Sequence, residues 1–228
     1  MSTTLTATTV RKAHSSDLPG ASRSLSRAFF DDPVFEWIFP GAERRALVVP
    51  AFFDVIVASF HAHDQVYSTD TPAGAALWLP PGAELLTEEE AVAFGEQMEE
   101  LAGQDAPRLG EVIDLMESNH PHDEDHFYLN FVGVQPTHQG QGLGSALMAP
   151  VLERCDREGV PAYLEATTTA SRALYERHGF ETIGELVCPG GGPSMWPMWR
   201  LPPLRPEPTS SQPAESREDS STAWRKPE

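Results

Sequence analysis

The stretch Val134-Gln-Pro-Thr-His-Gln-Gly-Gln-Gly-Leu-Gly-Ser-Ala-Leu147 constrains this chain more than any other. The apolar run Phe127-Tyr-Leu-Asn-Phe-Val-Gly-Val134 leads into glycines at alternate positions, Gly140, Gly142 and Gly144, and an apolar, helix-periodic segment begins at once. A strand that ends in a glycine-rich turn and opens a helix aims several unpaired backbone N–H groups at one spot, together with the positive end of the helix dipole. Such a spot binds anions, and a diphosphate is its commonest occupant. The pattern predicts a phosphorylated cofactor held on a strand–loop–helix unit.

Two cofactor classes fit poorly. A nucleotide P-loop needs Lys-Ser/Thr after its last glycine, but Gly144 is followed by Ser145-Ala146 and no lysine lies between Lys12 and Lys226. A dinucleotide fold wants Gly-x-Gly-x-x-Gly with an acidic residue about twenty positions on. Glu165, closing the apolar run Val160-Pro-Ala-Tyr-Leu164, nearly imitates the acid, yet Ser145 stands where the third glycine belongs. Dinucleotide folds also place this turn after their first strand, whereas a long segment precedes it here.

An acyl-CoA is the third class. Gln139-Gly-Gln-Gly-Leu-Gly144, preceded by Val134-x-Pro136, resembles the acyl-CoA pyrophosphate loop of the GNAT acyl-CoA N-acyltransferase superfamily. Ala173-Leu-Tyr-Glu-Arg-His-Gly-Phe180 is similar to that superfamily's Leu-Tyr-x-x-x-Gly-Phe, in the right order and spacing. Within the superfamily the chain resembles the puromycin N-acetyltransferase type of small-molecule enzyme. The likeness lies in the run from Val132 to Ala146, Pro150 inside the next helix, Gly159-Val-Pro-Ala162 and Leu164-Glu165. It covers residues 126–200 well and the N-terminal half loosely.

The resemblance implies a GNAT fold of the α/β (α+β) class: a mixed, mostly antiparallel central sheet with a splayed strand pair, flanked by helices. It implies acetyl-CoA as acyl donor, with the backbone from Gln139 through Gly140, Gln141, Gly142, Leu143 and Gly144 to Ser145 around its diphosphate. The pantetheine arm would fill the splay, meeting free N–H groups near Phe131, Val132 and Val134, with Gly133 in a bulge. Tyr175 matches the tyrosine that protonates the departing thiolate, and Glu165 matches a glutamate that serves as base through water. Ser171 stands where the superfamily often has a pantetheine-binding asparagine. The segment holding Asp31, Asp32, Phe35 and Trp37 covers the acceptor in such proteins, and His126 lies near the start of the splayed strand. A homodimer is a frequent form.

The chain carries 34 acidic and 16 basic side chains, a net charge of −18. Between Glu84 and Asp125 fourteen acids face one base, Arg108, which argues against nucleic acid, whose binding rests on phosphate neutralisation. Solvated faces of two helices explain this segment, and a wall that attracts a cationic amine is the alternative. Two cysteines, Cys155 and Cys188, without paired spacing, predict a reducing compartment and no structural disulfide or zinc site. His61-Ala-His63 and His120-Pro-His122 each offer too few ligands for a metal. Met1–Val10 does not read as a signal peptide, and no apolar run approaches the length of a bilayer span. The protein is expected to be cytoplasmic, with no membrane partner.

Residues 1–201 read as one domain and residues 202–228, rich in Pro, Ser, Glu and Arg, as a disordered tail. Strands are predicted over 9–13, 65–69, 73–79, 126–134, 160–165, 181–188 and 194–200, the last two antiparallel. Helices are predicted from 15, over 43–60, 87–102, 107–117 and 170–178, and over 143–158 with a kink at Pro150. Residues 31–40 read as two short turns around a proline break. The functional expectation is N-acetylation of a small-molecule amine by direct attack on the thioester. A protein or peptide amine acetyltransferase and a non-catalytic acyl-CoA sensor are the rivals.

Overall fold

The structure, a computed structural model, describes residues 9–203. Its strands are β1 (Val10–Lys12), β2 (Val66–Thr69), β3 (Gly74–Leu79), β4 (Phe127–Val134), β5 (Ala162–Ala166), β6 (Glu181–Thr182), β7 (Leu186–Val187) and β8 (Ser194–Arg200). Its helices are α1 (Leu18–Ala28), α2 (Pro33–Ile38), α3 (Ala42–Ala62), α4 (Glu88–Ala102), α5 (Ala106–Asn119), α6 (Leu143–Glu158) and α7 (Thr169–Arg177). The sheet runs in the order β1-β2-β3-β4-β5-β8-β6, with β7 on β8. Among the described residues only β4 and β5 pair in parallel; every other pairing is antiparallel. The tail expected over 202–228 lies outside the described residues except for Pro202 and Pro203.

Two cores flank the sheet. On one face α1, α2 and α3 pack Leu25, Phe35, Phe53 and Phe60 against Ala75 and Leu77. On the other, α6 and α7 pack Leu147, Val151 and Tyr175 against Trp78, Leu129 and Leu164. Helix α3 is long and apolar enough to cross a membrane by length and composition, contrary to the expectation that no run approaches that length. Glu43, Arg44, Arg45 and Asp54 break its apolar reading in the sequence, and it buries Val49, Phe52, Phe53, Ile56 and Phe60 in the core.

Two local expectations are corrected. Residues 33–38 form a helix, α2, because Pro33 occupies its first turn, where a missing N–H costs nothing. The Asp32 carboxylate caps it, accepting from Val34 N at 2.9 Å and Phe35 N at 3.3 Å. The strand expected over 181–188 is two short strands, β6 and β7, on β8. The Thr87–Glu90 capping box does open α4.

Strand β4 carries the feature that matters for function. Its pairing with β3 jumps from Leu77↔Phe131 to Trp78↔Leu129, so Asn130 is an extra residue. Side chains alternate along a strand, and one inserted residue flips the alternation. Phe127 and Leu129 accordingly face the α6 core, while Phe131 beyond the bulge faces the α1 and α3 core. The bulge was expected at Gly133. That glycine instead admits α1: a Cβ there would meet Ala28 Cβ at 2.8 Å and Leu25 Cδ2 at 3.0 Å.

Candidate active site

The parallel pairing of β4 with β5 consists of Phe127↔Ala162 and Tyr128↔Tyr163. Past this point the strands part, and β5 stays with β8 through Ala166. The gap opens a cavity of about 1680 Å³, lined by the glycine loop, β4, the end of β5, α7 and the helices on the α1 face.

At one end lies the loop. Gly140 and Gly142 have φ of 74° and 80°, a left-handed backbone that favours glycine, and a Cβ on either would enter open space. Among the described residues, no acceptor takes the N–H groups of Gly140, Gly142, Leu143, Gly144 or Ser145, as the first turn of α6 requires. Gly144 has another reason: Leu174 Cδ2 of α7 lies 3.2 Å from where its Cβ would be. Gln139 donates to Val134 O at 3.0 Å, and the Ser145 hydroxyl meets His178 Nε2 at 2.8 Å. Gln141 is exposed and off the cavity wall, whereas Arg27 and Arg177 line it and add positive charge.

The open edge of β4 can be read from its ladder. Gln135 N–H donates to Ala73 O at 2.8 Å on the β3 side. Backbone groups alternate between the two edges of a strand, so Gly133 and Phe131 also turn their N–H groups to β3. Val132 and Val134 turn theirs to the gap. Phe131, expected to offer a free N–H, contributes its ring to the cavity wall instead.

Along β5, Ala162, Leu164 and Ala166 enter the α6 core, so Tyr163 and Glu165 face the other way. The Tyr128 hydroxyl donates to Glu165 Oε2 at 2.9 Å. Glu165 Oε1 and Tyr163 Oη are buried without hydrogen-bond partners. Burial pushes the Glu165 carboxyl up to about 7, against the hydrogen bond from Tyr128 that favours its charged form. The ring of His120 sits 4.8 Å from that of Tyr128, and its Nε2 meets His126 Nε2 at 3.1 Å. Burial, then the neighbouring His126 and His122, brings His120 down to about 4, so it is neutral at pH 7. His120 and His122 line the cavity, whereas His126, the expected pocket histidine, stands behind them.

Tyr175 is buried and lines the cavity. Burial, and secondarily the charge of Asp32, holds its hydroxyl in the protonated form. Asp32 also lines the cavity, but both its oxygens are engaged: one caps α2 and the other accepts from Thr167. Phe35 is on the wall. Trp37 is not, since its carbonyl accepts from Arg108 at 2.9 Å and the guanidinium lies over its ring. Ser171 lines the cavity, yet its hydroxyl is engaged by Thr168 in the capping box of α7. Tyr128, Tyr163 and His120 were missed from sequence. A period-two reading back from Glu165 points to Tyr163; nothing local points to Tyr128 or His120.

A sequence profile of the Acetyltransferase (GNAT) family matches residues 60–180. The chain belongs to the GNAT acetyltransferase family. This GNAT protein is 27% identical over 183 residues to an uncharacterized N-acetyltransferase of Schizosaccharomyces pombe, covering 75% of this chain and 73% of that one. Its fold is similar to a Corynebacterium glutamicum structure described as histone acetyltransferase HPA2 and related acetyltransferase, with a TM-score of 0.63, 25% identity, and coverage of 89% and 99%. Arylalkylamine N-acetyltransferase 2 of Aedes aegypti shares the fold, with a TM-score of 0.55, 15% identity, and coverage of 86% and 99%. The mixed, mostly antiparallel sheet with one parting strand pair is the GNAT architecture. Among the described residues, no group of three or more His, Cys, Asp or Glu forms a metal-ligand cluster.

Proposed function

We propose that this GNAT protein transfers the acetyl group of acetyl-CoA to the primary amine of a small molecule, by direct attack of the amine on the thioester. The observation that carries this reading is the parting of β4 from β5 just before Glu165, with Tyr175 and the glycine loop on the same cavity. Acetyl-CoA, when bound, supplies the activated acyl group. The unpaired N–H groups of Gly140, Gly142, Leu143, Gly144 and Ser145 would hold its diphosphate, and Arg27 and Arg177 would add charge. The N–H groups of Val132 and Val134 would hold the arm and polarise the acyl oxygen.

An amine with an ordinary pKa of about 10.4 is neutral in only about one molecule in 10³ at pH 7. A base titrating near neutrality is suited to remove its proton, and Glu165, raised to about 7, is that group. Tyr175, kept protonated by burial, returns a proton to the leaving sulfur. The cysteines argue against a covalent acyl-enzyme, since Cys155 and Cys188 are buried off the cavity wall and burial pushes Cys155 up to about 12. Two free thiols also suit a cytoplasmic setting.

The test is thiol release from acetyl-CoA across a panel of amines. Release with a small amine supports transfer. Coenzyme binding by calorimetry with no release from any amine would overturn it in favour of a sensor.

A further inference from the structure

The cavity is also walled by α4 and α5, and the part they line, called the arm below, is apolar. Phe94 and Met98 of α4 and Met116 of α5 line it, on the same cavity as Phe35, Phe52 and Phe131. The last three rings form one interlocked set, Phe35 with Phe52 at 5.5 Å and Phe52 with Phe131 at 6.1 Å between centroids. The acid-rich segment supplies this wall from its inward faces only. Glu88, Glu89, Glu96, Glu99 and Glu100 of α4 point to solvent, while Met98 is buried and Phe94 half-buried.

The charges of the cavity are placed unevenly. Asp31, Glu84 and Glu117 are exposed at its rim, and Asp32 is consumed by the α2 cap and Thr167. Glu165 lines the same cavity. The buried wall of the cavity therefore offers no free carboxylate besides Glu165 to a second ammonium, and an unpaired buried charge is strongly disfavoured. It offers few partners to a peptide backbone either, whose N–H and C=O groups must be paired when buried. At about 1680 Å³ the cavity exceeds the roughly 300–1,000 Å³ of an ordinary ligand pocket. That size accommodates a coenzyme arm and a sizeable second body together.

Resting on the proposed acetyl transfer, we infer that the acceptor is a monoamine with one bulky uncharged apolar body, an arylalkylamine or long alkylamine, its nitrogen at Glu165 and its body in the arm. The rim carboxylates attract such a cation, and the arm selects by apolar fit. Polyamines and basic peptides are excluded because their further charges would lie in the arm unpaired. A hydrophobic pocket discriminates about 10–200-fold per methylene, so the preference is large.

The experiment compares kcat/KM by thiol release for 2-phenylethylamine, tryptamine and n-octylamine against ethanolamine, spermidine and a lysine-rich peptide. The apolar amines are expected to lead by about 10²-fold or more. Met116→Trp, at a partly buried position, should fill the arm and raise KM for tryptamine at least tenfold while KM for acetyl-CoA stays put. Preference for spermidine, ethanolamine or the peptide, or an unchanged tryptamine KM in M116W, overturns the inference and leaves acetyl transfer standing. Silence from every amine overturns the transfer reading. Calorimetric titration of 2-phenylethylamine into the coenzyme-loaded protein then still decides the arm, since absence of binding refutes it.

Discussion

Tyr128 and Glu165 are joined by a 2.9 Å hydrogen bond across the point where β4 and β5 part. Tyr128 stands on the last paired position of β4, and Glu165 is two residues beyond its partner Tyr163 on β5. Glu165 thus lies where the gap between the two strands begins and lines the cavity there. Burial holds this group at about 7, and the bond from Tyr128 steadies its charged form.

That placement predicts a pH profile. In the proposed reaction kcat/KM rises with pH through about 7 as Glu165 loses its proton. Glu165→Gln should remove this limb and lower kcat/KM by about 10²–10⁴-fold. Initial rates from pH 5.5 to 9 check both.

Stability should move in the opposite direction. Between an ordinary value of 4.5 and about 7, the folded protein keeps a proton on Glu165 that the unfolded chain has released. The folded state binds more protons there, so its stability falls as pH rises through that window. The full cost, on the order of 3 kcal/mol, applies above pH 7. Glu165→Gln should therefore melt higher than the parent at pH 8, with the gap closing toward pH 4.5, as calorimetry at the two pH values would show.

Tyr175→Phe separates chemistry from binding. Burial and the charge of Asp32, with no hydrogen bond, act on this hydroxyl, so its loss should leave the fold and the Kd for acetyl-CoA nearly unchanged. Turnover should fall by about 10²-fold or more. Single-turnover rates beside calorimetric affinity measure the two separately, and an unchanged rate would remove the proton-donor role.

Gly142→Val tests the loop. The position has a φ of 80°, and a left-handed backbone costs an L-residue about 1–2 kcal/mol, more for a β-branched one. Space for the side chain is open, so the strain should distort the array of N–H groups rather than unfold the chain. Acetyl-CoA affinity should drop at least tenfold with a small loss in Tm; retained affinity would sink the assignment of this loop.

Gly133→Ala tests a purely structural claim. The new methyl would lie 2.8 Å from Ala28 Cβ, and overpacking of this kind costs about 1–3 kcal/mol. A denaturant titration should register that loss, while Gly95→Ala in exposed α4 should not, because nothing lies within 4 Å of its added carbon.

Much of the fold was legible because its signals are local. Apolar runs ending in glycine or proline marked β3 and β4, and the Thr87–Glu90 pair marked α4. Residues 33–38 were misread because a helix of six residues has too few turns to show periodicity. Their helix depends on a cap whose second oxygen is held by Thr167, far along the chain. The bulge at Asn130 was equally hidden, for a one-residue register jump is defined only against a partner strand.

The sequence by itself determined the glycine loop after β4, the glycines that open α6 and the place of Tyr175 on α7, since backbone geometry at Gly140 and Gly142 follows from residue type and order within one short segment. Tertiary structure alone decided that Tyr128 meets Glu165, that Phe131 turns toward α3, that Ser171 is spent on a cap, and that α4 and α5 bring Phe94, Met98 and Met116 to the cavity wall. Each of these is a contact between side chains far apart in sequence, or a choice of strand face. Chain order does not encode such distances until the sheet is paired and the helices close over it.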